Sequence, residues 1–258
     1  MKTVTEVITP DKAKSLLSRN TTNRNLSANL VAKYAKQMRS GEWSLTHQGI
    51  AVYDDGELAD GQHRLNAVIA SGCDVVMQVT YGISRESGCD IDVHRARNIS
   101  DSIKIGGLSD WIDKDVIAIV RKVTKGGDRM TTREIVAVGE KYRSEIDFVL
   151  GLFPTKKKTI TSAPVLAAMV SALVHGESRA RLSSMAHCLA TGVVDGVEDI
   201  AAIRLREYAI SNPGANRGAA ARSDLFMRSQ RAIKAYCDSE AISKLYLPKD
   251  LIYPQVTL

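Results

Sequence analysis

The hydrophobic pattern of the chain changes at about residue 105, and this change limits its possible folds more than any other feature. Before it, helix and strand patterns alternate. After it, stretches of helical periodicity follow one another, separated by Gly, Pro and Ser. The pattern predicts an α+β chain of two domains. Residues 1–104 would form a small mixed sheet with helices, and residues 105–258 an all-α helical bundle.

The first domain shows clear boundaries between its predicted elements. Ser27 is a candidate N-cap for a helix over "ANLVAKYAKQMRS", which ends at Gly41. A short strand, "GIAVY", leads into a hairpin turn at Asp55-Gly56. A further helix closes at Gly72 and is followed by the strand "DVVMQVTYG".

Composition restricts the class of protein without naming a function. The 258 residues are 44% hydrophobic, which is enough to form a core. A net charge of +6 and a pI near 9.1 mildly favour anionic partners such as nucleotides or nucleic acid. The sequence has neither a long apolar run nor the pattern of a signal peptide, so we expect a cytoplasmic protein with no membrane partner. Its four cysteines lie far apart, which favours neither disulfides nor a zinc site.

The segment "LADGQHRLNAVIASG" concentrates chemically active side chains at the start of a predicted helix. The first turn of a helix offers backbone N–H groups to an anion, and Gly61 would let a ligand approach the backbone. Arg64 is suited to bidentate phosphate contacts, and Gln62 and His63 stand beside it. Asp60 could hold a divalent metal or accept a hydroxyl proton. The pattern predicts a phosphate site with an acid beside it. Alternatively, Asp60 only caps the helix and the other residues of its first turn face solvent.

Two further polar clusters are candidates for the same site. Asn23 and Arg24 precede the first-domain helix and could contact a sugar, base or phosphate, or serve only in capping and turns. Asp92, Arg95 and Arg97 lie in "CDIDVHRARNISD", with Asp92 as a second metal ligand or base, or as part of a solvated surface. Neither GxxxxGK[ST] nor GxGxxG occurs, which disfavours P-loop and Rossmann enzymes.

The segment "DGQHRLNAV", with the preceding "NRNLSANLVAKYAKQMRSGEWSLTHQGIAV", resembles the ParB/sulfiredoxin superfamily, in particular the ParB-like proteins of bacteriophages. The resemblance covers about residues 20 to 100. The loop is similar to the phosphate loops of sulfiredoxin and the free serine kinases, which implies nucleotide phosphate binding at Gly61, His63 and Arg64. The resemblance also implies a ParB/sulfiredoxin-like fold for residues 1–104. No ParB helix-turn-helix is evident, which argues against chromosome partition.

Two functions follow as expectations. The first is a phosphotransferase that binds ATP or another nucleoside triphosphate with Mg²⁺, with Asp60 or Asp92 activating an acceptor hydroxyl. In a phage, the acceptor could be a hydroxymethylated pyrimidine in DNA, and the site of action would be the cytoplasm of the bacterial host. The alternative is a ParB-like DNA-binding protein, either a nucleotide-gated clamp or a nuclease.

The helical domain carries a run of basic residues that could hold DNA. The stretch "IRLREYAISNPGANRGAAARSDLFMRSQRAIKAY" is rich in arginine, and a solvated helix face would explain it as well. The arginines predicted to contact nucleic acid are Arg204, Arg217, Arg222 and Arg228.

Overall fold

The computed structural model describes residues 1–21, 23, 25–90, 98–157 and 159–257, with the side chains of residues 88–90 excepted. The chain divides into two compact units, Met1–Arg97 and Asn98–Leu258. The first combines a sheet with helices and the second is almost wholly helical, in agreement with the predicted α+β class. Within the described ranges, every helix is too short or too polar to cross a membrane.

The first unit is built on a four-stranded mixed sheet with the order β1-β4-β2-β3. The outer strand β1 runs antiparallel to β4, which is parallel to β2, and β2 forms an antiparallel hairpin with β3. The strands are β1 (Lys2–Ile8), β2 (Ile50–Tyr53), β3 (Leu58–Asp60) and β4 (Val75–Ile83). The strands predicted at "GIAVY" and "DVVMQVTYG" are confirmed as β2 and β4.

Three helices share a core with this sheet: α1 (Pro10–Leu17), α2 (Ala28–Arg39) and α3 (Gln62–Ser71). The predicted N-cap of α2 is confirmed, because the Ser27 side chain accepts a hydrogen bond from the Leu30 N–H. Leu65 and Val68 of α3 are fully buried in this core. Since α3 packs through this apolar face, its N-terminal turn has a fixed position at the end of β3.

The second unit contains the remaining helices and a separate hydrophobic core. They are α4 (Ile99–Ile105), α5 (Lys114–Val123), α6 (Thr132–Lys141), α7 (Arg143–Gly151), α8 (Ala163–Val174), α9 (Arg179–Thr191), α10 (Asp199–Ser211) and α11 (Ala219–Cys237). A boundary after residue 104 would cut α4 from this unit. The structure instead places the boundary after Arg97, because the buried side chain of Ile103 belongs to the helical core.

Candidate functional site

The turn between β3 and α3 requires glycine at position 61. Gly61 has φ 106° and ψ 6°, a left-handed conformation that side chains disfavour. A Cβ atom at this position would lie 3.2 Å from both Cα and Cγ1 of Ile50. The glycine therefore allows β3 to pass directly into α3 while the turn packs against β2. Gly61 is the N-cap residue of α3 and has no side chain to cap the helix, and the first turn of α3 contains no acidic residue.

Arg64 and Asp60 face each other across this turn. Nη1 of Arg64 lies 3.4 Å from Oδ2 of Asp60, and the two side chains are 16% and 28% exposed. At that distance the hydrogen bond is weak. A guanidinium has five N–H donors, so this contact leaves Arg64 most of its capacity to bind an anion. Asp60 likewise keeps an oxygen for another partner. The structure thus brings together the predicted acid and the predicted phosphate-binding arginine.

His63 has a different environment from the one predicted. Its side chain is only 8% exposed, and its Nε2 atom accepts a hydrogen bond from the backbone N–H of Ser27 at 3.0 Å. Because Nε2 accepts in this bond, it is not available to donate to a phosphate. A phosphate contact or a proton transfer by His63 would have to use its Nδ1 atom, and that role stays a prediction. His63 joins the beginning of α3 to the beginning of α2.

Gln62 and Asn23 also hold the scaffold together. Gln62 is 5% exposed, and its Oε1 accepts a hydrogen bond from Nδ2 of Asn20 at 3.2 Å. Nδ2 of Asn23 donates to Oδ1 of Asn20 at 2.7 Å and to the carbonyl of Leu58 at 2.8 Å. Both residues were predicted to bind the cofactor, but these contacts use them to fix the loop before α2 against β3 and α3. Asn20 joins these two residues, because it is hydrogen-bonded to both. The sequence did not indicate this role of Asn20.

Four predicted site residues lie outside the described part of the chain: Arg24, Asp92, Arg95 and Arg97. The pairing of Asp60 with Asp92 as metal ligands therefore stays a prediction. Within the described residues, there is no group of three or more His, Cys, Asp or Glu side chains that could hold a metal ion. A single carboxylate at Asp60 fits Mg²⁺ only if substrate phosphates and water supply the other ligands, which is the usual coordination of this ion.

Two of the arginines predicted to bind nucleic acid have partners within the second unit. Arg204 forms an ion pair with Glu207 at 2.8 Å. Arg228 donates to the carbonyl of Leu245, and its guanidinium carbon lies 4.7 Å from the centre of the Tyr208 ring. These contacts occupy part of each guanidinium, and the Nε atom of each is buried without a hydrogen-bond partner in the described structure. Their role as DNA contacts stays a prediction. Similar contacts engage the neighbouring cations Arg206, Arg231 and Lys234.

The other two predicted arginines are exposed. Arg217 and Arg222 flank the start of α11, and the Arg222 Nε donates weakly to the carbonyl of Asn216 at 3.3 Å. Arg222 also lines a cavity of about 640 Å³ together with basic residues of α5. The sequence analysis did not identify this cavity. The only signal for it was the spacing of Lys114, Arg121 and Lys122 along one helix face.

Comparison of the chain with protein-family models, with curated proteins and with solved structures gives no match.

Proposed function

We propose that the first unit binds the phosphate groups of a nucleoside triphosphate at the start of α3, and that the protein transfers the terminal phosphoryl group. The observation that carries this proposal is the left-handed Gly61 turn, which leads from β3 into a helix without a side-chain cap. Such a helix start attracts phosphate through its N–H groups and the helix dipole. The Arg64 guanidinium lies one turn further along, where it can neutralise phosphate charge.

Asp60 is the acid closest to this arginine in the described structure. When Arg64 turns toward phosphate, the Asp60 carboxylate is released to accept a proton from an acceptor hydroxyl or to hold Mg²⁺. Phosphoryl transfer depends mainly on positioning and on neutralisation of charge, so an arginine and one carboxylate are sufficient groups. Asp92 remains the proposed second carboxylate.

The resemblance of the Asp60–Arg64 segment to ParB/sulfiredoxin phosphate loops supports the same proposal. In the structure this segment runs from the end of β3 through Gly61 into the first turn of α3. We propose a ParB/sulfiredoxin-like arrangement for the first unit, and a hydroxymethylated pyrimidine in DNA as the acceptor.

The second candidate function is a DNA-binding protein, either a nucleotide-gated clamp or a nuclease. The exposure of Arg217 and Arg222 favours it, because exposed cations in the connection before α11 and in its first turn can contact a DNA backbone. A nuclease with two metal ions would further need a second carboxylate near Asp60, with the metals about 4 Å apart.

Isothermal titration calorimetry with ATP or CTP, in the presence of Mg²⁺, tests the phosphate site. Arg64→Met should weaken nucleotide binding by at least about tenfold, because it removes a charged group with little change in volume. Lys14→Met is the control, since it removes a positive charge from an exposed side chain of α1. The comparison is made in an Arg222→Gln background, which weakens binding at the cavity lined by Arg222, and equal affinities with and without Arg64→Met would contradict the proposal. Assays of phosphate release and strand cleavage on duplex DNA would then distinguish a transferase from a nuclease.

A further inference from the structure

The second unit contains a cavity of about 640 Å³ with a strongly basic lining. Its charged lining residues are Lys114, Arg121, Lys122, Arg129, Arg222 and a single acid, Asp128. We call it the basic cavity. A volume of this size is typical of sites for small ligands. All of its lining residues lie in the helical unit, so it is independent of the α3 site.

The fold concentrates these cations from separate segments. Lys114, Arg121 and Lys122 lie seven and eight residues apart on one face of α5, while the opposite face is buried in the core. Arg222 comes from the first turn of α11. Arg129 comes from a short 3-10 turn, Gly127–Arg129, that follows α5. A ligand in the basic cavity would therefore meet positive charge from several directions.

The C-terminal segment fixes one wall of the basic cavity. Gln255 lines the cavity, and its Nε2 donates to the carbonyl of Lys122 at 2.8 Å. The next residue, Val256, exchanges backbone hydrogen bonds with the end of α5: its N–H donates to Val123 and its carbonyl accepts from Lys125. The end of α5 is thereby held in place, so the cations it carries are positioned before any ligand binds.

These cations lack the acidic partners found elsewhere in the unit. Among the residues that the structure describes, none of the five forms an ion pair, whereas Lys156 and Arg231 pair with Asp115 and Glu240. The Nε atom of Arg121 is buried and has no hydrogen-bond partner within the same set of residues. An uncompensated, partly buried cation is unfavourable, and a bound anion would relieve it.

The environment of the basic cavity affects the pKa of Lys122. Its Nζ atom lies 5.0 Å from the centre of the Phe226 ring. Burial lowers the pKa of Lys122 below 10.5, Asp128 opposes that change, and the positive charge of Arg222 adds to it. The protein therefore stabilises the charged form of this lysine less than water does.

Two helices also begin at the basic cavity. Ala163 and Pro164 of α8 and Ala219 of α11 line it. The side chain of Ser162, the N-cap residue of α8, makes no capping hydrogen bond, and Gly218, the N-cap residue of α11, has no side chain. Neither first turn contains an acid. The Oγ atom of Ser162, the N-cap of α8, is buried without a hydrogen-bond partner in the described structure. The positive ends of both helix dipoles thus add to the charge of the side chains.

We propose that the basic cavity binds a small ligand with two or more phosphate groups, of the chemical class of a nucleoside polyphosphate. A compact polyanion fits better than a nucleic-acid strand because the cations converge on a cavity, whereas a strand requires an extended basic surface. The arginines that would have extended that surface along α10 and α11 are engaged by Glu207, Leu245 and Glu240.

Titration of the full chain with inorganic tripolyphosphate tests this proposal. Arg222→Gln and Lys122→Met should each weaken binding by at least about tenfold, because each removes a charge-assisted contact. The matched control is Arg217→Gln, which removes another exposed arginine, located just before α11 and outside the cavity lining. Arg222 is exposed, so its replacement should leave the thermal unfolding midpoint unchanged. Arg64→Met should retain tripolyphosphate binding at the basic cavity, which separates this site from the one at α3.

Three results would overturn the proposal. In the first, Arg222→Gln and Lys122→Met bind tripolyphosphate as tightly as wild type. In the second, Arg217→Gln loses as much affinity as Arg222→Gln, which indicates attraction by overall charge. In the third, a single-stranded oligonucleotide binds in an Arg222-dependent manner while tripolyphosphate does not, which assigns the cavity to nucleic acid.

Discussion

The Nε2 atom of His63 accepts a hydrogen bond from the backbone N–H of Ser27 at 3.0 Å, which ties the first turn of α3 to the first turn of α2. This bond requires Nε2 to be unprotonated, so the neutral ring carries its proton on Nδ1. Two residues of the Asp60–Arg64 segment therefore have different roles. Arg64 is available for a ligand, and His63 positions the loop beside it.

Replacement of His63 by alanine should destabilise the protein by about 1–3 kcal/mol, because the Ser27 N–H then loses its acceptor in a partly buried position. Glutamine should recover part of this loss, since its Oε1 can take the place of Nε2. Urea unfolding of both variants measures the difference. Equal stability of wild type and His63→Ala would show that the bond contributes nothing to the fold.

Gly61→Ala should be more destabilising than Gly72→Ala. Both glycines have left-handed backbone angles, for which an alanine costs about 1–2 kcal/mol. A Cβ at Gly72 meets no atom within 4 Å, whereas a Cβ at Gly61 lies 3.2 Å from Ile50. The comparison isolates the cost of crowding at the β3–α3 turn. Thermal unfolding of the two variants provides the measurement, and identical midpoints would argue against a tightly packed turn.

Asp60→Asn should spare nucleotide binding and slow phosphoryl transfer by about 10²–10⁴-fold, the usual contribution of a general base. The amide keeps the shape of the side chain but cannot accept the proton of a hydroxyl group. It also weakens the contact with Arg64, which leaves the guanidinium available to phosphate. The rate of product formation at saturating nucleotide, set against the dissociation constant, separates the two effects. An unchanged turnover rate would show that Asp60 is not the general base of the proposed reaction.

Local sequence signals predicted much of the first unit. The start of α2 and the ends of α2 and α3 lie where Ser27, Gly41 and Gly72 predicted them. Such boundaries can be predicted because helix caps and left-handed glycines depend on only a few neighbouring residues. The strand β1 was not predicted. It pairs with β4 in antiparallel fashion, from Lys2 opposite Tyr81 to Ile8 opposite Val75. Its β-branched residues, Thr3, Val4, Thr5, Val7 and Ile8, are a local strand signal that the prediction missed.

The sequence pattern also did not predict a break between two consecutive helices. The sequence "TTREIVAVGEKYRSEIDFVLGLF" has one continuous helical pattern, but the structure divides it into α6 and α7 at Tyr142, whose φ of −110° and ψ of 23° are not helical. At the candidate site, the positions of Gly61 and Arg64 followed from the motif. The burial of His63 and Gln62 did not, because it depends on a loop that approaches from 36 residues earlier in the chain.

Acid should weaken the second unit through Asp199. Its side chain is 7% exposed, and one carboxylate oxygen accepts hydrogen bonds from the N–H groups of Asp195 and Gly196 at 2.7 and 2.9 Å. Burial alone would raise the pKa of Asp199, but these hydrogen bonds outweigh it and hold the pKa below 3.8. The resulting stability is present above pH 3.8 and is lost as the pH falls through the lower folded-state value.

Asp199→Asn tests this pH dependence. The variant should lose about 1–3 kcal/mol at neutral pH, where the charged acceptor is stronger than an amide. Below pH 3.8 its stability should fall less steeply than that of wild type. Urea unfolding across the acidic range measures both slopes. Parallel curves for wild type and variant would assign the acid sensitivity to other groups.

The association of the chain with duplex DNA should weaken steeply with salt. Each phosphate neutralised by a cation contributes about −0.9 to the slope of log affinity against log salt concentration. Arg217 is exposed and, in the described structure, has no side-chain partner, so it is available to a phosphate. Arg217→Gln should therefore make the slope less negative by about 0.9. Fluorescence anisotropy with a labelled duplex at several salt concentrations gives this value.

Arg204→Gln serves as the control for that measurement, because the Arg204 guanidinium is paired with Glu207 at 2.8 Å and should not contribute to the slope. A change at Arg204 equal to that at Arg217 would mean that overall charge, rather than individual contacts, governs DNA binding. If the wild-type chain shows no salt-dependent association, the exposed arginines do not hold DNA. The acceptor of the proposed phosphoryl transfer would then have to be a small molecule.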